Sequence, residues 1–347
     1  MEEGEVPLIP VRTVGITFNL KTGHGEEEEE EYDPIETILA LKTEIERYGF
    51  DVMLLNQDGS FLEELSKACP DFVLNIAEGR GKTRSREAQV PCILESLGIP
   101  YSGSDSLALG ITLDKFTTGQ LLRAAGVAVP GQHMIDRLEK VESLSRIFDG
   151  KRRYIVKPRW EGSSKGVFAD SVVSDEAQLR EKVRFVLERY GEPALIEDFL
   201  PNDEVTVALA GNGKARILGI MRILPAADPE GHFLYSIERK RDWRKCMRYE
   251  NGDSLPPAVR SQIETEAAKA YEALELRDIA RIDLRLDIDG IPRVIDVNPL
   301  PGLNPEFGDL PILFGLNGGD YSTLIRTVLE EAFARCRLAW PAECLHA

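Results

Sequence analysis

Two short runs near the C-terminus, at 280–286 and 292–298, alternate polar with apolar residues. This alternation is typical of β-strands with one buried face. Asp289-Gly290 lies between the runs and favours a tight turn, so the sequence predicts an antiparallel hairpin. The chain must therefore fold around an antiparallel sheet whose one face carries charged side chains.

The turn at Asp289-Gly290 decides which residues of the two strands face each other. It places Asp283 opposite Asp296, and Arg281 opposite Asn298, all on one face of the hairpin. Because facing carboxylates repel, we expect a cation between them. Mg²⁺, or Mn²⁺ in its place, takes such oxygen ligands and completes its shell with substrate phosphates. The alternative is an exposed hairpin face with water between the acids.

Strands and helices alternate through the N-terminal third of the chain. Apolar runs at 14–18, 52–55 and 72–76 predict strands, and helical spacing follows the start signal at Asp33-Pro34. This order predicts a parallel α/β sheet. The acidic run Glu26–Glu31, between the first strand and the first helix, is predicted to be a solvated loop.

Later in the chain, short strands joined by turns replace this alternation, and one of them is predicted at 167–170. We divide the chain into an N-terminal α/β domain at 1–112, a central domain at 113–210, a third domain at 211–335 and a tail at 336–347. The central and third domains are both predicted to be α+β.

A loop rich in small residues follows the predicted strand that ends at Lys157. Gly162, Ser163 and Ser164 leave backbone amides free to wrap phosphate oxygens. Lys157 and Lys165 bring positive charge to the same place. A plain hairpin turn is the alternative, but the flanking lysines favour a phosphate-binding loop.

Charge and composition narrow the range of partners. The 347 residues carry 42 basic and 59 acidic side chains, and the net charge of −17 opposes binding to nucleic acid or to an anionic membrane. No apolar stretch approaches the ~20 residues of a membrane helix, and the acidic start Met1–Glu5 lacks the positive charge of a signal peptide. The five cysteines include no CxxC pair, which predicts reduced thiols. We expect a cytoplasmic protein that acts on small molecules.

Taken together, the motifs resemble the ATP-grasp superfamily, and within it the D-alanine–D-alanine ligase family, from about Val14 to Leu329. The resemblance rests on short motifs in the family's order and spacing: Leu113-Asp114-Lys115, Lys157-Pro158, Glu161-Gly162-Ser163-Ser164, Ile196-Glu197-Asp198-Phe199, Glu204, Arg281, Asp283, Asp296, Asn298 and Pro301-Gly302. It implies an ATP-grasp fold, in which an N-terminal parallel α/β domain precedes two α+β domains that clasp ATP.

The resemblance also implies which residues bind the nucleotide. Lys115, Lys157 and Lys240 match lysines that contact ATP phosphates. Glu197 to Leu200 match the hinge that takes the adenine edge, and Glu204 matches the acid that binds the ribose hydroxyls. The matching residues for the remainder of the nucleotide site are Glu161, Glu197, Asp198, Phe199, Leu200 and Glu204.

Metal and catalytic residues are implied in the same way. Asp283, Asp296 and Asn298 match the magnesium ligands, with an aspartate where the family usually has the middle glutamate. Arg281 matches the arginine placed against the reacting carboxylate. The backbone amides of Ser163 and Ser164 would hold the tetrahedral oxyanion together with this arginine.

The substrate loops depart from the family's pattern. Asn19-Leu20-Lys21-Thr22 replaces a loop that contains Ser and Glu, and Arg86, flanked by Arg84, aligns with the acid that faces the first substrate's ammonium. Because an arginine repels an ammonium and binds carboxylate or phosphate, we predict a first substrate with an extra negative group or without a free α-ammonium. If the alignment shifts by one residue, Glu87 keeps the acid's role. Gly302 is expected to contact the second substrate.

The implied activity is that of an ADP-forming carboxylate–amine ligase, which joins amino acids or peptides through an acyl phosphate. One alternative is a ligase for a different amino acid or a small peptide. Another is an ATP-binding module without ligase turnover, against which Arg281 argues, because a non-catalytic binder does not require it. The sequence names neither the two substrates and their chirality nor the general base, and it is compatible with a homodimer without fixing the oligomeric state.

Overall fold

The computed structural model describes four stretches of the chain: 7–23, 27–148, 150–226 and 233–341. The acidic start Met1–Glu5, Glu26 of the acidic run and residues 342–347 of the predicted tail lie outside these stretches. No helix within them is long and apolar enough to cross a bilayer.

A three-stranded parallel sheet forms the N-terminal part, and its order is β3-β2-β4, as given by the bounds below. The predicted parallel α/β sheet is therefore confirmed. The elements of this part are β1 Ile9–Pro10, β2 Thr13–Phe18, α1 Ile35–Arg47, β3 Asp51–Asn56, α2 Phe61–Ala68, β4 Phe72–Asn75, α3 Gln89–Leu97 and α4 Ser106–Thr112, with a 3₁₀ turn at Arg86–Ala88.

A four-stranded antiparallel sheet follows, with the order β5-β8-β6-β7. Its elements are α5 Lys115–Ala124, β5 Gln132–Ile135, a 3₁₀ helix at Leu138–Arg146, β6 Tyr154–Pro158, β7 Val172–Val173, α6 Glu176–Tyr190 and β8 Ala194–Asp198. The strand predicted at 167–170 is wrong. The Phe168 amide donates to Ser171 Oγ at 2.9 Å, so the chain makes a 3₁₀ turn at Ala169–Ser171 before it pairs as β7.

The largest sheet has five antiparallel strands in the order β11-β10-β9-β12-β13. Its elements and those that follow are β9 Glu204–Asn212, β10 Arg216–Pro225, α7 Ile237–Arg241, α8 Trp243–Cys246, β11 Met247–Asn251, a 3₁₀ turn at Gly252–Ser254, α9 Pro257–Ala273, β12 Arg277–Leu286, β13 Pro292–Asn298, α10 Asp309–Leu316, α11 Tyr321–Cys336 and β14 Leu338–Ala339. Because β9 lies at the centre of this sheet, the predicted domain boundary at 210 falls inside a strand.

The register of the β12–β13 hairpin agrees with the prediction where the charged residues lie. Asp283 pairs with Asp296, and Arg281 pairs with Asn298. On its other side β12 pairs with β9, which brings Thr206 opposite Asp283. Three strands therefore contribute polar side chains to one face.

A β-bulge follows the facing aspartates on the side of the turn. Leu284 pairs with Val294, so Ile295 is an extra residue on β13. Val294 and Val297 pack in one hydrophobic cluster although they are three residues apart, because the bulge reverses the alternation between them. The hairpin thus combines one polar face, which carries Asp283 and Asp296, with an opposite apolar face, to which Val294 and Val297 both belong.

The C-terminal helix α11 packs against the N-terminal sheet. The Phe333 ring lies 5.7 Å from Phe50, 5.0 Å from Phe72 and 5.2 Å from Trp340, measured between ring centroids. Strand β14 pairs in parallel with β1. The described beginning of the predicted tail is therefore ordered structure that ties the two ends of the chain together.

We predict that Phe333→Ala lowers the free energy of unfolding by about 3 to 5 kcal/mol, because truncating a buried aromatic ring leaves a cavity. Phe333 is 2% exposed. Leu62→Ala is the control, since Leu62 is 62% exposed and surface substitutions change stability by about 0.5 kcal/mol or less. Equal urea midpoints for the two variants would contradict this packing.

Candidate active site

A cavity of about 690 Å³ opens between the three sheets, and residues from all three parts of the chain line it. All but three of the sequence-predicted site residues are among its lining residues: Glu87, Lys115, Lys157, Glu161, Ser163, Ser164, Glu197, Asp198, Phe199, Leu200, Glu204, Lys240, Arg281, Asp283, Asp296, Asn298 and Gly302. The three that do not line it are Asn19, Arg84 and Arg86.

The facing aspartates each have a cation of the protein beside them. Arg281 donates to both oxygens of Asp283, at 3.1 and 3.0 Å, and the Thr206 hydroxyl donates to the same carboxylate at 2.9 Å. Lys115 Nζ lies 3.3 Å from Asp296 Oδ1. Arg281 and Lys115 therefore supply positive charge beside the two carboxylates, so their repulsion alone does not require a metal.

The chemistry of the donors nevertheless fits Mg²⁺. Asp283, Asp296 and Asn298 offer two carboxylates and an amide oxygen, and all three line the cavity. The described part of the chain contains no cluster of three or more His, Cys, Asp or Glu residues that could hold a metal. The three oxygen ligands of Asp283, Asp296 and Asn298 suit an ion that takes its remaining ligands from substrate phosphates and water.

Lysines that point into the cavity are also paired with acids. Lys157 Nζ lies 2.7 Å from Glu197, and Lys240 Nζ lies 3.7 Å from Asp309. Asp309 also accepts a hydrogen bond from Arg281 at 3.0 Å. Each of these cations can exchange its carboxylate for a phosphate oxygen. Sequence reasoning missed Asp309, whose only local signal is its position at the first turn of α10.

Glu204 is buried beside Arg285, at 3.3 Å. Burial raises the pKa of Glu204 to about 7, although the guanidinium of Arg285 acts to lower it. Arg285 also donates to the carbonyl of Phe233 at 2.8 Å. Sequence reasoning did not single out Arg285, but its spacing of two from Asp283 was a usable signal, because it places both on one face of β12.

The predicted adenine hinge is built from the end of β8. The Glu197 carboxylate accepts from Gln132 Nε2 at 2.8 Å in addition to its pairing with Lys157. The backbone amide of Asp198 donates to the Gly131 carbonyl at 3.0 Å, and its carboxylate pairs with Arg152 at 3.1 Å. The backbone amide and the carboxylate of Asp198 therefore both have partners within the protein.

The loop predicted to bind phosphate is only partly open. The Gly162 amide donates to Glu31 Oε1 at 2.7 Å, so the prediction that this amide is free is wrong. Ser163 and Ser164 have φ of +48° and +58°. Non-glycine residues in this left-handed region are strained, and such residues are common at functional sites. Glu161 pairs with Lys165 at 2.9 Å. The Glu31 side chain is 6% exposed, so the predicted solvated loop is wrong at this residue.

Arg86 lies behind the cavity wall. Its guanidinium donates to both Glu31 oxygens, at 2.8 and 2.7 Å, and to the Trp160 carbonyl at 2.9 Å. It also lies 3.5 Å from Glu161. The prediction that Arg86 faces the substrate is therefore wrong, because three protein acceptors occupy its donors.

Asn19 and Arg84 likewise do not reach the cavity. Asn19 is buried, where its Oδ1 accepts from the Gly79 amide at 3.0 Å and its Nδ2 donates to Gln57 at 3.1 Å. Arg84 is largely exposed and lies 3.5 Å from Asp114. Asn19 thus braces a loop, and neither residue is placed to contact a substrate.

Acids line the end of the cavity that is formed by the N-terminal α/β part of the chain, which we call its N-terminal end. Burial raises the pKa of Glu87 to about 8, and burial together with repulsion from Glu87 raises the pKa of Glu78 well above its usual range. Burial also raises the pKa of Asp33 to about 6. Sequence reasoning did not single out Glu78. Glu87, the predicted alternative to Arg86, lines the cavity, whereas Arg86 does not.

A family model described as the D-ala D-ala ligase C-terminus matches residues 121–330. A D-alanine–D-alanine ligase from a Synechococcus species is 30% identical over 86% of this chain and 88% of its own length. An uncharacterized protein, y4sG, from Sinorhizobium fredii is 29% identical over 84% of this chain and 85% of its own length.

Solved structures of similar proteins extend the comparison to the whole fold. A D-alanine–D-alanine ligase from Bacillus anthracis has a TM-score of 0.74 and 26% identity, covering 94% of this chain and 99% of its own. A D-Ala:D-Ser ligase, VanG, from Enterococcus faecalis has a TM-score of 0.69 at 17% identity, covering 93% of this chain and 99% of its own. The ATP-grasp fold is thereby confirmed.

We predict that Lys157→Ala raises the KM for ATP by about tenfold or more, the loss expected for one hydrogen bond to a charged group. The KM for an amino-acid substrate should change much less. Steady-state kinetics with each substrate varied in turn measures both constants. Lys67→Ala, on the exposed face of α2, is the control, and an effect confined to the amino acid would contradict the placement of Lys157.

We predict that Glu87→Gln gains stability relative to the unmodified protein as the pH rises from 5 to 9. The raised pKa means that the folded state holds a proton that the unfolded state has lost between about pH 4.5 and 8, so ionisation of Glu87 lowers stability over this range. Gln mimics the protonated acid and escapes this loss.

Urea unfolding at each pH measures the difference, which we expect to exceed about 1.4 kcal/mol, the equivalent of one pKa unit. Glu188→Gln, at an exposed position on α6, should show a difference that does not vary with pH. A pH-independent difference for Glu87→Gln would contradict the buried environment of its carboxyl.

Proposed function

Because the chain belongs to the D-alanine–D-alanine ligase family, we propose that it is an ADP-forming ligase that joins two amino acids through an acyl phosphate. One observation carries the proposal. Cations suited to phosphate, oxygen donors suited to Mg²⁺ and buried acids suited to an ammonium all line a single cavity.

The nucleotide is proposed to lie between the four-stranded and five-stranded sheets. Ile155, Phe199 and Leu200 offer apolar contacts for the base, and Glu204 offers a carboxylate for the ribose hydroxyls. The phosphates then extend toward Lys157, where the positive charges are concentrated. The buried position of this lysine strengthens its attraction for phosphate, because water screens it little.

Mg²⁺, held by Asp283, Asp296 and Asn298, would neutralise charge on the phosphates. The protein's own side chains are proposed to orient the phosphates. Lys115 and Lys157 orient the phosphates, and their present carboxylate partners keep them in place. Positioning and neutralisation of charge are the main sources of rate in phosphoryl transfer.

In the proposed reaction a carboxylate oxygen of the first substrate attacks the γ-phosphorus, and the bond to the bridging oxygen breaks to release ADP. The amine nitrogen of the second substrate then attacks the acyl carbon, loses a proton and displaces inorganic phosphate. Arg281 and the backbone amides of Ser163 and Ser164 are proposed to stabilise the oxyanion of this step.

The position of Glu87 supports a first substrate with a free ammonium group. A buried carboxylate attracts a cation, and the arginine expected to repel it lies behind the wall. We therefore withdraw the expectation that the first substrate has an extra negative group or lacks a free α-ammonium. D-alanine, on which the named relatives act, becomes a candidate alongside other amino acids.

We predict that ADP forms from ATP only when Mg²⁺ and an amino acid are both present, and that Asp296→Asn reduces this rate at least about 100-fold, because it replaces a carboxylate proposed to bind the metal by a neutral amide. A coupled ADP assay and mass spectrometry of the product measure turnover and ligation. Asp289→Asn, on the exposed turn of the same hairpin, is the matched control.

Two results would contradict the proposal in different ways. ATP binding without ADP formation for any amino-acid pair would identify a non-catalytic ATP-binding module. Full turnover in Asp296→Asn would instead show that the metal donors on the hairpin are misassigned.

A further inference from the structure

Two carboxylates at the N-terminal end of the cavity form no ion pair with a basic side chain in the described part of the chain, although Arg86 and Lys115 act to lower the pKa of Glu87. Glu87 is 8% exposed and Glu78 is half-buried, and both line the cavity. Neither makes a hydrogen bond or an ion pair to another residue within the described stretches. Burying an unpaired carboxylate is unfavourable, so this end of the cavity is suited to a cationic ligand.

The basic side chains near these two acids already form ion pairs with other acids. Arg86 is bound by Glu31 and Glu161, and Lys115 lies against Asp296. Lys21, at the rim, lies 3.8 Å from Glu30. No ion pair within the described stretches therefore neutralises Glu78 or Glu87, and an arriving cation would favour the ionised form of each acid.

The backbone holds this acid pair in place. Gly79 has φ of +87°, and a Cβ there would lie 2.0 Å from the Arg86 carbonyl oxygen, so the two acid-bearing segments pack directly against each other. Gln89 bonds to both the amide and the carbonyl of Arg80, at 2.9 Å each, and Asn19 binds the Gly79 amide. Such bracing fixes the backbone beside the two carboxylates before a ligand arrives, which lowers the entropic cost of binding.

Resting on the proposed function, we propose that the first substrate is a diamino acid whose two ammonium groups are held by Glu78 and Glu87. A neutral amino acid carries one ammonium and would leave one of these carboxylates unpaired. A diamino acid neutralises both, and its carboxylate can extend toward Lys115 and the phosphates. The raised pKa values of the two acids are consistent with this proposal, because each gains from a nearby positive charge.

The test compares diamino acids with neutral amino acids of nearly the same shape. Lysine is paired with norleucine, and ornithine with norvaline, each as both enantiomers, alone and together with D-alanine. We expect kcat/KM for amino-acid-dependent ADP formation to be at least about tenfold higher for the diamino member, the effect of one additional charged hydrogen bond. Calorimetric titration of the same pairs into protein saturated with ADP measures binding separately from turnover.

The variants Glu78→Gln and Glu87→Gln should each reduce the preference for lysine over norleucine toward unity, while Glu188→Gln should leave it unchanged. Turnover of norleucine equal to that of lysine in the unmodified protein would overturn the diamino acid proposal and leave the ligase function standing. Preferential binding of lysine without ADP formation would do the reverse.

Discussion

The antiparallel pairing of β9, β12 and β13 is the constraint on which the active site depends. It places Glu204 beside Arg285 and Thr206 beside Asp283, and it sets Asp296 opposite Asp283. The residues of β9 and β12 that meet here are far apart in the sequence, so only the pairing of the two strands brings them together. The bulge at Ile295 keeps Val294 and Val297 together on the opposite, apolar face of β13, where both pack in one hydrophobic cluster.

Buried charges on both antiparallel sheets must be matched inside the protein. Arg281 forms ion pairs with two acids, Asp283 and Asp309, and Lys157 forms one with Glu197. Removing one partner from such a pair leaves an uncompensated charge, which costs more stability than the pair contributes. The same pairs hold phosphate-binding cations in the cavity, so structural charge balance and ligand binding draw on the same side chains.

Regular secondary structure and the motif residues were predictable from the sequence, because period-two alternation and turn signals are local properties. The hairpin register was correct at Asp283 and Asp296, although the bulge at Ile295 has no signal of its own. Placement of loop residues was not predictable. Arg86 and Glu87 are neighbours, yet one lies behind the wall and the other lines the cavity, and this difference depends on where Glu31 packs, which local sequence does not encode.

Glu31 links the two ends of the cavity. Its carboxylate accepts from Arg86, which belongs to the segment carrying Glu87, and from the Gly162 amide, which begins the loop proposed to bind phosphate. A displacement of Arg86 would therefore change the acceptor available to Gly162, because one carboxylate holds both donors. Glu31, in the acidic run that looked like a solvated loop in the sequence, thus joins the N-terminal α/β part to the loop proposed to bind phosphate.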